Sequence, residues 1–178
     1  MTSMPSRLRG RHTRAAVAAG TAVVALFTLS ACGEKPTPMT TVTVGSNSVF
    51  AEAACYNDGD KLSDKTLEKC GDEADKVDKD QTITLDRDEN LSVGVEPEVA
   101  ERGWFVLLDG RPLGEFRNYH DTTYQSFEVS DIFDGVQQLG MEQRDSVTLT
   151  ILETPEPKAD QKEQPGVFGV WNFKLNLD

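Results

Sequence analysis

The stretch Phe168-Gly169-Val170-Trp171-Asn172-Phe173-Lys174-Leu175-Asn176-Leu177 decides the fold class, because from Trp171 onward large apolar and polar side chains alternate without a break. Successive side chains of an extended chain point to opposite faces. Trp171, Phe173, Leu175 and Leu177 therefore share one face, and Asn172, Lys174 and Asn176 share the other. This pattern predicts a long, half-buried closing strand over 168–177. Toward the N-terminus, the same period of two marks Thr41 to Val44, Thr82 to Leu85 and Leu91 to Val95, while Tyr124 to Val129 and Val147 to Leu152 read as further strands. Trp104 to Leu108 is continuously apolar, as a central strand would be. It runs into Asp109-Gly110, the dipeptide best suited to a two-residue hairpin turn, so its partner should start near Leu113.

Two segments read as helical. One is a turn or two within Ser63 to Cys70. The other is Ser130 to Leu139, where Ser130 is placed to cap free amides, Asp131 suits the positive helix end, and Gly140 stops it. Many short strands with few helices predict a mainly β chain, an antiparallel immunoglobulin-like or fibronectin-like β-sandwich with one or two short helices. Trp104 is expected in its core. Phe105, Leu107, Trp171 and Phe173 are likewise assigned to packing rather than to ligand stacking. The charged segment 57–80 and the proline-rich segment 154–166 are expected to be solvated, mobile loops.

With 178 residues, 38% apolar and 27% charged, the chain has room for one ordinary domain, which excludes most large enzymes and disfavours a two-lobed solute receptor. Its charge is uneven. Arg7, Arg9, Arg11 and Arg14 precede an apolar run from Ala15 to Ala31, and no acid occurs before Glu34. This is the grammar of a signal peptide. The run is slightly short for a permanent membrane span and ends in small residues rather than a basic cluster. A chain beginning at Cys32 loses four of the 18 cations and keeps all 30 acids, which takes the formal charge from −12 to −16. So acidic a surface argues against nucleic acid as a partner.

Leu29-Ser30-Ala31-Cys32 has the form of a bacterial lipobox, in which the Cys32 sulfur receives a diacylglycerol before cleavage on its amino side. Acyl chains of the palmitate kind then anchor the protein on the extracytoplasmic face of the cell membrane. The expected organisation is a lipoprotein signal peptide over 1–31, a lipidated tether over 32–39 and one sandwich domain over 40–178. With Cys32 consumed by lipid, Cys55 and Cys70 form an even pair in an exported chain, and a structural disulfide is the expected state.

Chemistry-bearing constellations are sparse. Asp86-Arg87-Asp88-Glu89-Asn90 begins like a calcium loop but has Leu91 and Pro97 where that loop needs Gly and Glu, so it reads as a polar turn. The acids from Asp72 to Asp80 are interspersed with lysines and read as a solvated loop. His120 is the sole imidazole after Cys32. It lacks a nucleophile motif, and neighbours on an extended chain diverge, which makes Asp121 a poor orienting partner. No catalytic residue, metal ligand or cofactor is assigned. Arg111, Arg117, Tyr119 and His120 are the one gathering of cationic and aromatic groups, and they form the candidate ligand-binding set.

The arginine-rich leader, Leu29-Ser30-Ala31-Cys32, the Cys55 and Cys70 pair, and the Trp104 strand followed by Asp109-Gly110 resemble an uncharacterised family of actinobacterial lipoproteins, a domain of unknown function. The resemblance implies a location and supplies no activity. The expectation is a membrane-anchored, non-enzymatic binding or structural module of the cell envelope, with another envelope protein as a possible partner. The alternatives are a small-ligand or ion receptor and, last, an envelope hydrolase.

Overall fold

The computed structural model describes residues 36–73, 76–113, 117–138, 140, 144–156 and 165–177. The expected signal peptide over 1–31, Cys32 and residues 33–35 of the expected tether lie outside this set, as does 157–164 of the proline-rich segment. Among the described residues, ten strands form two sheets. They are β1 (Met39–Val44), β2 (Asn47–Glu52), β3 (Cys55–Tyr56), β4 (Thr82–Leu85), β5 (Asn90–Val95), β6 (Trp104–Leu108), β7 (Arg111–Pro112), β8 (Tyr124–Glu128), β9 (Ser146–Glu153) and β10 (Gly169–Leu177). Among the described residues, three α-helices and a 3-10 turn (Lys79–Gln81) interrupt them: α1 (Asp64–Glu73), α2 (Pro97–Arg102) and α3 (Val129–Gln138).

The smaller sheet has the order β2-β1-β5-β8, and the larger has β3-β10-β9-β6-β7 with β4 also paired to β10. Every pairing is antiparallel except β4 with β10, which is parallel. β5, β6, β8, β9 and β10 stand to one another as strands B, C, E, F and G of an immunoglobulin-like sandwich. The N-terminal strand is divided between the sheets: β1 lies beside β5 and β4 beside β10, with β2, β3 and α1 inserted between them.

The period-two rule accounts for the core. Val42, Val44, Leu91, Val93 and Val95 face inward from the smaller sheet; Trp104, Val106, Leu108, Val147, Leu149, Ile151, Trp171, Phe173 and Leu175 meet them from the larger. Each such side chain contributes roughly 1.5–3 kcal/mol by leaving water. Ile132, Phe133 and Val136 of α3 join the same core. Arg87, in the β4–β5 turn, lays its guanidinium 3.7 Å from the centre of the Phe133 ring.

Several expectations are corrected. β6 alternates, so Phe105 and Leu107 lie on the outer face and are only half-buried. The return strand begins at Arg111, because Asp109 and Gly110 take positive φ values of 44° and 76° and close the hairpin at once. α3 starts at Val129, so Ser130 lies inside the helix, and its hydroxyl reaches Glu128 (3.4 Å) instead of capping an amide. The 57–80 segment contains α1, and its Leu62 and Cys70 are buried rather than solvated. Residues 37 and 38, within the segment expected as a tether, are hydrogen-bonded to the sandwich. Thr37 accepts a hydrogen bond from the Ala53 amide (3.2 Å), and the Pro38 carbonyl accepts one from Trp171 Nε1 (2.8 Å).

Cys55 and Cys70 form a disulfide with a Cα–Cα distance of 6.1 Å, joining β3 to α1 across 15 positions of sequence. In the chain-entropy account a loop of this length contributes about 3 kcal/mol. Reduction, or the paired Cys55→Ser and Cys70→Ser substitutions, should lower the unfolding free energy by about that amount. Urea denaturation with and without reductant measures it.

Candidate functional site

The hairpin geometry separates the four residues of the expected ligand set. Arg111 pairs with Leu108 at one end of β6, whereas Tyr119 bridges to Trp104 at the other end, four residues and roughly 13 Å of strand away. Tyr119 is held there by two backbone hydrogen bonds with Trp104, of 3.2 and 2.7 Å. Its ring packs on Trp104 with centroids 4.8 Å apart and meets Phe127 edge-on at 6.2 Å. Burial pushes the Tyr119 phenol above its ordinary pKa, and the Arg117 cation partly opposes the shift. Arg117 and Tyr119 are thus neighbours.

His120 points elsewhere, with Nδ1 3.0 Å from an oxygen of Asp121. Sequence reasoning held these neighbours to be divergent, but Asp121 has a φ of 52° and turns the chain back. Both side chains are solvent-exposed, so the contact contributes little to stability. The structure therefore brings Arg117 to Tyr119 and His120 to Asp121, and leaves Arg111 apart from all of them.

A charged cluster that sequence reasoning missed lies at the Trp104 end of β6. α2 begins on Pro97, which has no amide to leave unpaired, and stops at Gly103, whose φ of 109° is costly for any other residue. This places Arg102 in the last helical turn. Its guanidinium is hydrogen-bonded to the Glu153 carboxylate, donates to the Gly59 carbonyl (3.1 Å) and lies 4.3 Å from the centre of the Phe168 ring. Glu153 is 1% exposed, and its second carboxylate oxygen has no partner. Burial raises the Glu153 pKa, Arg102 opposes the shift, and Glu98 adds to it. Tyr56 is raised as well, first by burial and then by the Glu98 and Glu153 charges.

The signal for this cluster was present in the sequence. Val147, Leu149 and Ile151 alternate inward, and two residues on the same face receives Glu153. The Glu153 carboxylate is closed off from solvent. It acts with Arg102 as a clamp binding α2, β9, the turn at Gly59 and the segment that enters β10.

Among the described residues, a trough of about 580 Å³ lies on the outer face of the larger sheet. Its floor includes Leu107, Thr150, Leu152 and Asn172, and α1 supplies a wall with Leu67 and Cys70. Thr150 donates to the Asn172 side-chain carbonyl (2.8 Å). At one end Asp109 accepts from the Thr148 amide (2.7 Å) and from Arg144 (2.9 Å). The size falls within the range of small-molecule sites. The disulfide that ties α1 to β3 also holds this wall in place.

Replacing Arg102 with Met should strand a buried carboxylate at neutral pH, at a cost of about 3–5 kcal/mol. Glu153 binds its proton more readily folded than unfolded. Its contribution is therefore fully present below the ordinary glutamate pKa and is lost as pH rises through the raised folded value. The Arg102→Met deficit should accordingly shrink on acidification, since protonated Glu153 needs no counter-charge; denaturation curves across a pH series measure it. No family model, no curated protein and no solved structure matches this chain.

Proposed function

We propose that this chain is a lipid-anchored, non-enzymatic binding or structural module on the outer face of the cytoplasmic membrane, of the kind found in the actinobacterial lipoproteins it resembles. The observation that carries this reading is how soon after Cys32 the folded body begins. Thr37 and Pro38 are already hydrogen-bonded to Ala53 and Trp171. Five residue steps separate Cys32 from Thr37, which is at most about 18 Å of extended chain. A diacylglyceryl group on Cys32 would therefore keep the sandwich beside the bilayer. A module that has to engage a neighbour in the same membrane or the adjoining wall gains from this, because confinement raises the effective concentration of its partner.

A second reading, a receptor for a small amphipathic ligand, is favoured by the trough beneath α1. Its signature is a ligand-induced rise in melting temperature that Thr150→Trp, which fills the trough, removes.

Cys32→Ala tests the anchor. After cell fractionation the variant should leave the membrane fraction or accumulate with its leader uncleaved. Wild-type membrane association together with normal cleavage overturns the reading.

A further inference from the structure

Among the described residues, Phe50 and Tyr124 stand out as exposed large apolar side chains, at 65% and 59% of their surfaces. They occupy one row of one sheet face. Phe50 pairs with Thr41, Thr41 with Gly94, and Gly94 with Tyr124, so the two rings sit on the opposite edge strands β2 and β8. Three strand spacings put them roughly 14 Å apart.

The next row of the face is Ser48, Thr43, Ser92 and Ser126. These hydroxyls form hydrogen-bonded pairs, Thr43 with Ser48 (2.8 Å) and Ser92 with Ser126 (2.7 Å). The Tyr124 hydroxyl joins the second pair, donating to Ser92 (2.6 Å) and lying 3.3 Å from Ser126. A phenol tied diagonally to the neighbouring strand lays its ring along the sheet and leaves a ring face open to solvent. The platform is thus ordered before any ligand arrives.

Gly94 is the third observation. A Cβ added there would meet nothing nearer than the Thr123 carbonyl (3.9 Å) and Thr41 Cβ (4.0 Å), which are ordinary contacts. Neither packing nor backbone dihedrals require glycine at this position, and glycine inside a strand weakens it. What its missing side chain leaves is an open floor between the two rings.

The two rows carry no charge, in a chain of formal charge −12. Glu52 and Glu128, both exposed, flank these rows on the same face, so the face repels an anionic partner, and a second copy would bring two acidic bodies together. A neutral polyol fits it. The C–H face of a pyranose matches the negative face of an aromatic ring, and its hydroxyls match serine and threonine groups, each of which donates once and accepts twice.

We propose that the outer face of the β2-β1-β5-β8 sheet binds an uncharged polysaccharide, with Phe50 and Tyr124 as stacking platforms and the Thr41–Gly94 floor receiving the sugar run between them. The proposal gives the anchored module a partner chemistry and rests on the anchor only for where that glycan is met.

The test uses the full-length protein in detergent micelles, so a misplaced anchor does not affect it. The probes are maltohexaose, cellohexaose and mannohexaose, followed by calorimetry. At least one should bind, with Phe50→Ala and Tyr124→Ala each weakening it about tenfold. Gly94→Val should abolish binding while leaving the melting temperature unchanged or higher, a combination that damage to the fold cannot produce. The proposal is overturned if none of the three sugars binds, or if binding survives Gly94→Val. It is overturned equally by a concentration-dependent dimer that Phe50→Ala and Tyr124→Ala abolish, which would make the face an interface between copies.

Discussion

The structure depends on burying two indoles between its sheets. Trp104 and Trp171 are wholly inaccessible to solvent, and each carries one N–H that must find an acceptor inside the fold. The acceptors are carbonyls of irregular chain: Thr122 for Trp104 (2.7 Å) and Pro38 for Trp171 (2.8 Å). An unmet indole N–H would carry a desolvation penalty of about 1–3 kcal/mol, so these bonds bind connecting segments to the core. Through them the lead into β1 and the connection into β8 become part of the sandwich.

With both inner faces consumed by the core, only the outer ones are open to solvent, and these differ. α1 and the disulfide wall part of the larger sheet, which leaves a trough. The outer face of the smaller sheet is rich in hydroxyls, with an aromatic ring on each edge strand and Glu52 and Glu128 flanking them. The Arg102–Glu153 clamp belongs to neither face. It ends the inward row of β9 with a carboxylate, which is tolerated because α2 delivers a guanidinium to that point.

Much of the framework was legible because strand periodicity is local. β4 and β6 have the bounds that alternation and apolar continuity suggest, and β10 has the inward and outward faces read from 168–177. β2 was not legible. Its inward residues are only Val49 and Ala51, and its one large side chain, Phe50, faces water. α2 escaped notice because six residues with two buried side chains give no helical period. Phe105 and Leu107 misled for the opposite reason. An outer face partly covered by other elements accepts apolar residues, so β6 looks buried on both sides. The candidate ligand set failed to converge because proximity in sequence hides the turn at Asp109-Gly110, which sends Arg111 back along β6 from the far end.

The sequence alone determined most of the strands, the tight turn at Asp109-Gly110 and the even cysteine pair, since each depends on side-chain chemistry within a few residues. Tertiary structure decided the rest: the split of the N-terminal strand between sheets, the parallel pairing of β4 with β10, the meeting of Arg102 with Glu153 across 51 positions, and the alignment of Phe50 with Tyr124. Strand pairing is made by backbone amides and carbonyls that nearly every residue carries. Which strands become neighbours is therefore settled by how all the apolar faces are buried together, and no single stretch of chain records it.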